Sequence, residues 1–158
     1  MFVEWPADYK SQDSWKNNRI YTPRLDIAVG PFNTDANIDV NKQKIEQKYE
    51  ENMSFISNLQ ARKSPPTSSA GPNSNPRCFL AVEIENTGTR KHRLGSILNA
   101  AALGKVGIVV GWNREVTKSL TRIDDYLTYL YTVGKLVTRP PRPIIIDKSS
   151  FWDALQEI

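Results

Sequence analysis

One cysteine, Cys78, and one histidine, His92, stand among the 158 residues of this chain. A lone thiol excludes a disulfide framework, and with no second cysteine or histidine a zinc site lacks its usual ligands. Long apolar runs are missing too: no segment approaches the ~20 residues that cross a bilayer. The opening MFVEWPADYKSQDSW has neither the basic start nor the apolar stretch of a signal peptide. These absences predict a soluble, cytoplasmic protein with no membrane partner. A large excess of one charge is also lacking. The net charge of +4 and pI near 9.2 favour a polyanionic partner only slightly, because charge of that size also serves solubility.

What is present fits one domain with a core of its own. Pro6 and the mixed aromatics after it suggest a short first helix up to Asn17. In RLDIAVG, Leu25, Ile27 and Val29 alternate with Asp26, Ala28 and Gly30, the period of a strand. From Asn41 to Lys63 the period changes, and Ile45, Tyr49, Met53, Ile56 and Leu59 share one side of a helix. The stretch SPPTSSAGPNSNP, 64–76, has no large apolar residue and four prolines, which predicts a mobile loop. After it, RCFLAVEIEN reads as a buried strand. RLGSILNAAALGK reads as a helix burying Leu94, Ile97, Leu98, Ala101 and Ala102, and VGIVVGW as a strand covered on both faces. Strand, helix and strand in this order make a βαβ crossover. A long helix follows, with Val116, Leu120, Ile123, Leu127, Leu130 and Gly134 on one side. A short strand, IIID, and a last helix capped by Ser149 or Ser150 close the chain. The predicted class is α/β, a small mixed sheet flanked by helices.

Within FLAVEIEN, a period of two places Phe79, Ala81, Glu83 and Glu85 on one face, and Cys78, Leu80, Val82 and Ile84 on the other. If this strand pairs with the earlier one, Asp26 joins the two glutamates. Three carboxylates together are unfavourable, since burial desolvates them and like charges repel; their pKa values rise or a cation joins them. Carboxylate and carbonyl oxygens with no thiolate or imidazole suit Mg2+ or Mn2+. Asp26 and Glu83 are the expected metal ligands, and the Ile84 carbonyl, between the two acids, is a neutral third. The plainer alternative is a polar sheet face whose glutamates pair with Arg24 or Arg77.

RLDIAVG, VEIEN, a helix and VGIVV together resemble the core of the PD-(D/E)XK nuclease superfamily, the restriction endonuclease-like fold, over roughly Tyr21 to Trp112. That resemblance implies magnesium-dependent hydrolysis of DNA phosphodiesters, with Asp26 and Glu83 at the positions of the two motif acids. Two departures stand out. Leu25 rather than proline precedes Asp26, and Glu85 occupies the place of the motif lysine. Glutamate there implies a further metal ligand or an acceptor for the attacking water, and Lys91 and Lys105 are the nearby candidates for the missing ammonium. The family also often places an acid on its first helix, where Glu4 or Asp8 would match, and a polar residue on the helix after the motif, where Asn99 stands.

Between the acidic strand and its helix lies TGTRKHRL, which gathers Arg90, Lys91, His92 and Arg93. Cations at a helix start are at its electrostatically disfavoured end, which points to a role toward phosphate. Thr87 or Thr89 is expected to cap that helix. The aromatics Trp112, Tyr126, Tyr129 and Tyr131 read more readily as core than as stacking surfaces. Three functions stand open: a metal-dependent DNA endonuclease, a catalytically inactive nuclease-fold module that binds nucleic acid or assembles with a larger complex, or a structural protein unrelated to nucleic acid. The small domain leaves sequence specificity to a homodimer, a larger protein complex or the loop.

Overall fold

The structure is a computed structural model and describes residues 1–6, 23–33, 38–63, 71–138 and 142–157. Five strands form one sheet in the order β1-β2-β3-β4-β5: β1 (Phe2–Pro6), β2 (Arg24–Phe32), β3 (Cys78–Glu85), β4 (Gly104–Gly111) and β5 (Ile144–Asp147). The first three run antiparallel, and β3, β4 and β5 are mutually parallel. Among the described residues five helices flank the sheet: α1 (Ile38–Glu51), α2 (Met53–Ala61), α3 (Arg90–Leu103), α4 (Arg114–Thr132) and α5 (Lys148–Gln156). The class is therefore mixed α/β, as the sequence predicts.

Two successive βαβ units, β3-α3-β4 and β4-α4-β5, put α3 and α4 on one face. There Ile97, Ala100, Val116, Leu120 and Leu127 pack with Val109 and Ile145. On the other face Ile56 and Leu59 of α2 and Ala154 of α5 pack with Val82, Val106, Ile108, Val110, Ile144 and Ile146. This split explains why β4 is apolar throughout and buried at every position. A third cluster, with Trp5, Leu25 and Ala81, closes the β1 side.

Several expectations are corrected. Pro6 ends a strand, paired with Arg24, rather than beginning a helix; β1 is an edge strand, where proline leaves no ladder bond unmade. The remainder of the predicted first helix, with Asp8, lies outside the described residues. The 41–63 helix is two helices. They part at Asn52, whose Nδ2 donates to the Lys48 carbonyl at 2.8 Å, and Met53 is exposed while Ile45, Ile56 and Leu59 are buried. On α3, Leu98 and Ala102 face solvent. Gly134 lies past the end of α4 with φ 73°, a backbone state that glycine adopts without cost. Asp147, not a serine, caps α5, accepting from the Ser150 N–H at 3.0 Å.

Of the expected loop at 64–76, residues 71–76 are described and anchored. Asn73 Nδ2 donates to the carbonyls of Ala101 and Ala102 at the end of α3, and Pro76 is fully buried. In the TRPPRP segment, Arg142 is buried and donates through Nε to Asp124 of α4 at 2.8 Å, so it fastens the approach to β5 rather than bordering a groove. No helix among the described residues is long and apolar enough to cross a membrane.

Gly107 sets how closely α3 lies on the sheet. A Cβ there would stand 2.5 Å from the Ala100 carbonyl oxygen, a backbone atom that cannot swing aside. Gly107→Ala is therefore expected to destabilise the protein by about 1–3 kcal/mol in urea denaturation, as overpacking does elsewhere. Ala100→Gly, on the facing helix, should not rescue it, because the clash is with backbone.

Candidate functional site

At the C-terminal end of β3 the side-chain alternation does what the spacing predicts: Glu83 and Glu85 face α3, and Ile84 faces away and is exposed. It fails at the start of the strand. Phe79 packs with Val82, and Cys78 with Ala81, reversing the predicted faces. The slip coincides with an irregularity in β2–β3 pairing between Val29 and Phe32.

The two glutamates stand about 6.6 Å apart along the strand, and α3 runs back over them so that residues one turn apart meet them in turn. Ser96 Oγ donates to Glu85 Oε1 at 2.5 Å, and Asn99 Nδ2 donates to Glu83 Oε1 at 3.4 Å. Gly88 lets the turn after β3 lie against Glu85, since a Cβ there would fall 2.6 Å from Oε2.

Asp26 arrives from β2. Ladder pairing between β2 and β3 stops at Ile27 and Val82, and Asp26 Oδ2 takes over, accepting the Ile84 N–H at 2.7 Å. A strand residue offers its N–H and C=O to the same neighbour. The Ile84 carbonyl therefore faces the gap beside Asp26 where β2 no longer pairs.

Asp26, Glu83, Ile84 and Glu85 line one open cleft of about 730 Å³, with Ser96 and Asn99 on its helical wall. Glu83 is only 6% exposed, and none of the three carboxylates forms an ion pair among the described residues. Burial above all, then the negative charge of Asp26, pushes the Glu83 carboxyl up to about 8. Hydrogen bonds from Asn99 and the Asp26 backbone oppose this, and Glu85 adds a smaller repulsion.

The basic cluster divides. Thr89, one of the two predicted caps, accepts the His92 N–H; Lys91 and His92 line the cleft. Arg90 is exposed and outside the lining, and Arg93 turns to α4, where it donates to Ser119 Oγ at 2.7 Å. Lys105 lies away from the cleft, pairing with Glu46 at 2.5 Å and resting over the Tyr49 ring. Glu4 is on β1, not on a helix. Pairing passes from Val3–Ile27 to Trp5–Leu25 without a Glu4–Asp26 pair, Glu4 takes φ 52°, and its exposed side chain does not line the cleft. Arg24, read only as an ion-pair partner, forms no such pair and lines the cleft instead. Its spacing of two from Asp26 was the available signal.

Carboxylate and carbonyl oxygens are the donors that Mg2+ or Mn2+ takes, and the His92 imidazole lines the same cleft. Among the described residues no group of three or more His, Cys, Asp or Glu side chains stands close enough together to hold a metal ion. Comparison with protein families, curated proteins and solved structures gave no match to this chain.

The raised Glu83 carboxyl has a consequence for stability in metal-free buffer. Between its ordinary value of 4.5 and about 8, the folded protein holds a proton that the unfolded chain has lost, so stability falls as pH rises through that window. Glu83→Gln should remove this slope and exceed the wild type above pH 8 by on the order of 2–4 kcal/mol. Urea denaturation at pH 5, 7 and 9 in EDTA measures it; equal pH slopes in both proteins would refute the placement.

Proposed function

We propose that the chain is a metal-dependent DNA endonuclease of the restriction endonuclease-like, PD-(D/E)XK type, hydrolysing phosphodiester bonds with Mg2+ or Mn2+. The observation that carries the reading is the lining of one cleft by Asp26, Glu83 and Glu85, none of them in an ion pair among the described residues. Asp26, Glu83 and the Ile84 carbonyl would hold the ion. When bound, such an ion polarises a phosphodiester and lowers the pKa of a coordinated water.

The chain's own groups supply the rest. Ser96 occupies Glu85 Oε1, which leaves Oε2 to accept a hydrogen bond from the attacking water. Arg24 and Lys91, at the cleft, hold the phosphates on either side of the scissile bond. The order of elements, an antiparallel β1-β2-β3 followed by a helix and a parallel β4, supports the same reading. DNA as the substrate rests on the resemblance stated above and on this charge arrangement.

One observation favours the second reading, an inactive module that binds nucleic acid or assembles with a larger complex. Glu85 stands where the motif has lysine, and Lys105 is committed to Glu46, so that of the two candidate lysines Lys91 remains at the cleft. Cleavage assays separate the two. With Mg2+ or Mn2+, the protein is expected to cut at least one of duplex, single-stranded or branched DNA. Asp26→Ala should lower the rate by at least about 100-fold, comparable to losses at other metal sites, with its circular dichroism unchanged. A folded wild type that cuts none of these substrates supports the inactive module.

A further inference from the structure

A second cleft opens at the same edge of the sheet, where β4 and β5 end. It encloses about 460 Å³ and is lined by Trp112, Arg114, Thr117, Lys118, Asp147 and Lys148, among others. Arg114, Lys118 and Lys148 form no ion pair among the described residues, and the one carboxylate, Asp147, is spent on the N–H and hydroxyl of Ser150. The helix starts here are already satisfied: Asn113 accepts from Glu115 and Val116, and Asp147 from Ser150. What the cleft offers is therefore an indole and three cations, with the Asp147 carboxylate as the one opposing charge in its lining.

Trp112 remains 46% exposed even with the Lys148 ammonium 4.0 Å from its ring centroid. An ordinary core tryptophan does not stand this way. The cation orients the ring and keeps positive charge beside it.

The two clefts are joined through the backbone. Trp112 N–H donates to the Glu85 carbonyl at 2.8 Å, Glu85 pairs with Gly111, and Gly111 pairs with Asp147. Two interstrand spacings, roughly 10 Å, thus separate the acidic cleft from the far side of the basic one, a span that a few nucleotides of one strand cover.

We propose that this second cleft is the track for an unpaired DNA strand, with a base stacked on Trp112 and its phosphates on Arg114, Lys118 and Lys148, leading the strand into the carboxylate cleft. The assignment of the scissile bond rests on the nuclease reading; strand binding does not. A base inside a duplex keeps both faces within the stack, so the base that an indole reaches most readily is an unpaired one. The substrate is accordingly single-stranded DNA or a duplex with an unpaired end or flap.

Binding in EDTA tests the track without any cleavage, by fluorescence anisotropy of labelled oligo(dT) and of a blunt duplex. Wild type should prefer oligo(dT), with affinity that falls as salt rises. Trp112→Ala should weaken oligo(dT) binding about tenfold or more, the lower part of the range for a base–aromatic stack, and Trp112→Phe should restore most of it. Lys118→Glu with Lys148→Glu should weaken binding and flatten the salt dependence, whereas Lys44→Glu, exposed on α1, should not. Unfolding temperatures show that each variant is folded.

Preference for the duplex, tighter binding of oligo(U), or a Trp112→Ala variant that binds oligo(dT) like wild type overturns the proposal. The two readings fail separately. If Trp112→Ala loses binding but no DNA is cut with metal, the track stands and the nuclease falls. If DNA is cut and Trp112→Ala binds normally, the nuclease stands and the track falls.

Discussion

The close seat of α3 on the parallel pair β3–β4 is the constraint on which the carboxylate cleft depends. Gly107 lets the helix backbone approach the sheet at Ala100, and that approach brings Ser96 and Asn99 within reach of Glu85 and Glu83. A side chain at Gly107 would lift the helix. The glutamates would then lose their hydrogen bonds and gain water, and the perturbed electrostatics of the cleft would relax. Asp26 adds the matching constraint from the other side, replacing strand pairing by a side-chain bond to Ile84.

From this packing follows an arrangement of charge in two layers. The floor holds Asp26, Glu85 and the nearly buried Glu83, none in an ion pair among the described residues, and Arg24 and Lys91 line the same cleft. A floor of that kind suits a divalent cation, and cations beside it suit the anion that the metal would act upon. The cost of holding like charges together appears as the raised carboxyl of Glu83. An ordinary polar sheet face would have used nearby cations such as Arg24 or Arg77 as ion-pair partners, and no such pair to Asp26, Glu83 or Glu85 is found among the described residues.

Much of this was legible in the sequence because it rests on short periods. The apolar β4, the βαβ order and the common face of Glu83 and Glu85 follow from alternation and element length alone. What escaped depends on contacts between distant segments. The reversal at Phe79 arises in the pairing with β2, and Pro6 is acceptable in a strand only because that strand lies at the edge. The basic cluster looked like one phosphate site, yet a helix distributes four consecutive residues around its circumference, so Arg93 meets α4 while Lys91 and His92 meet the cleft. Lys105 found Glu46, 59 positions away in sequence. Trp112, Tyr126, Tyr129 and Tyr131 are exposed rather than core, since each lies at the end of an element or on the outer face of α4.

A metal-dependent nuclease here needs Asp26 and Glu83 to share a divalent cation. Crystals soaked in Mn2+ above pH 8, where Glu83 is ionised, test it most directly through the anomalous signal of manganese. A peak between the Asp26 and Glu83 carboxylates beside the Ile84 carbonyl, absent from Asp26→Ala crystals, is expected if the two acids share the ion. Well-ordered carboxylates with no manganese between them would contradict it.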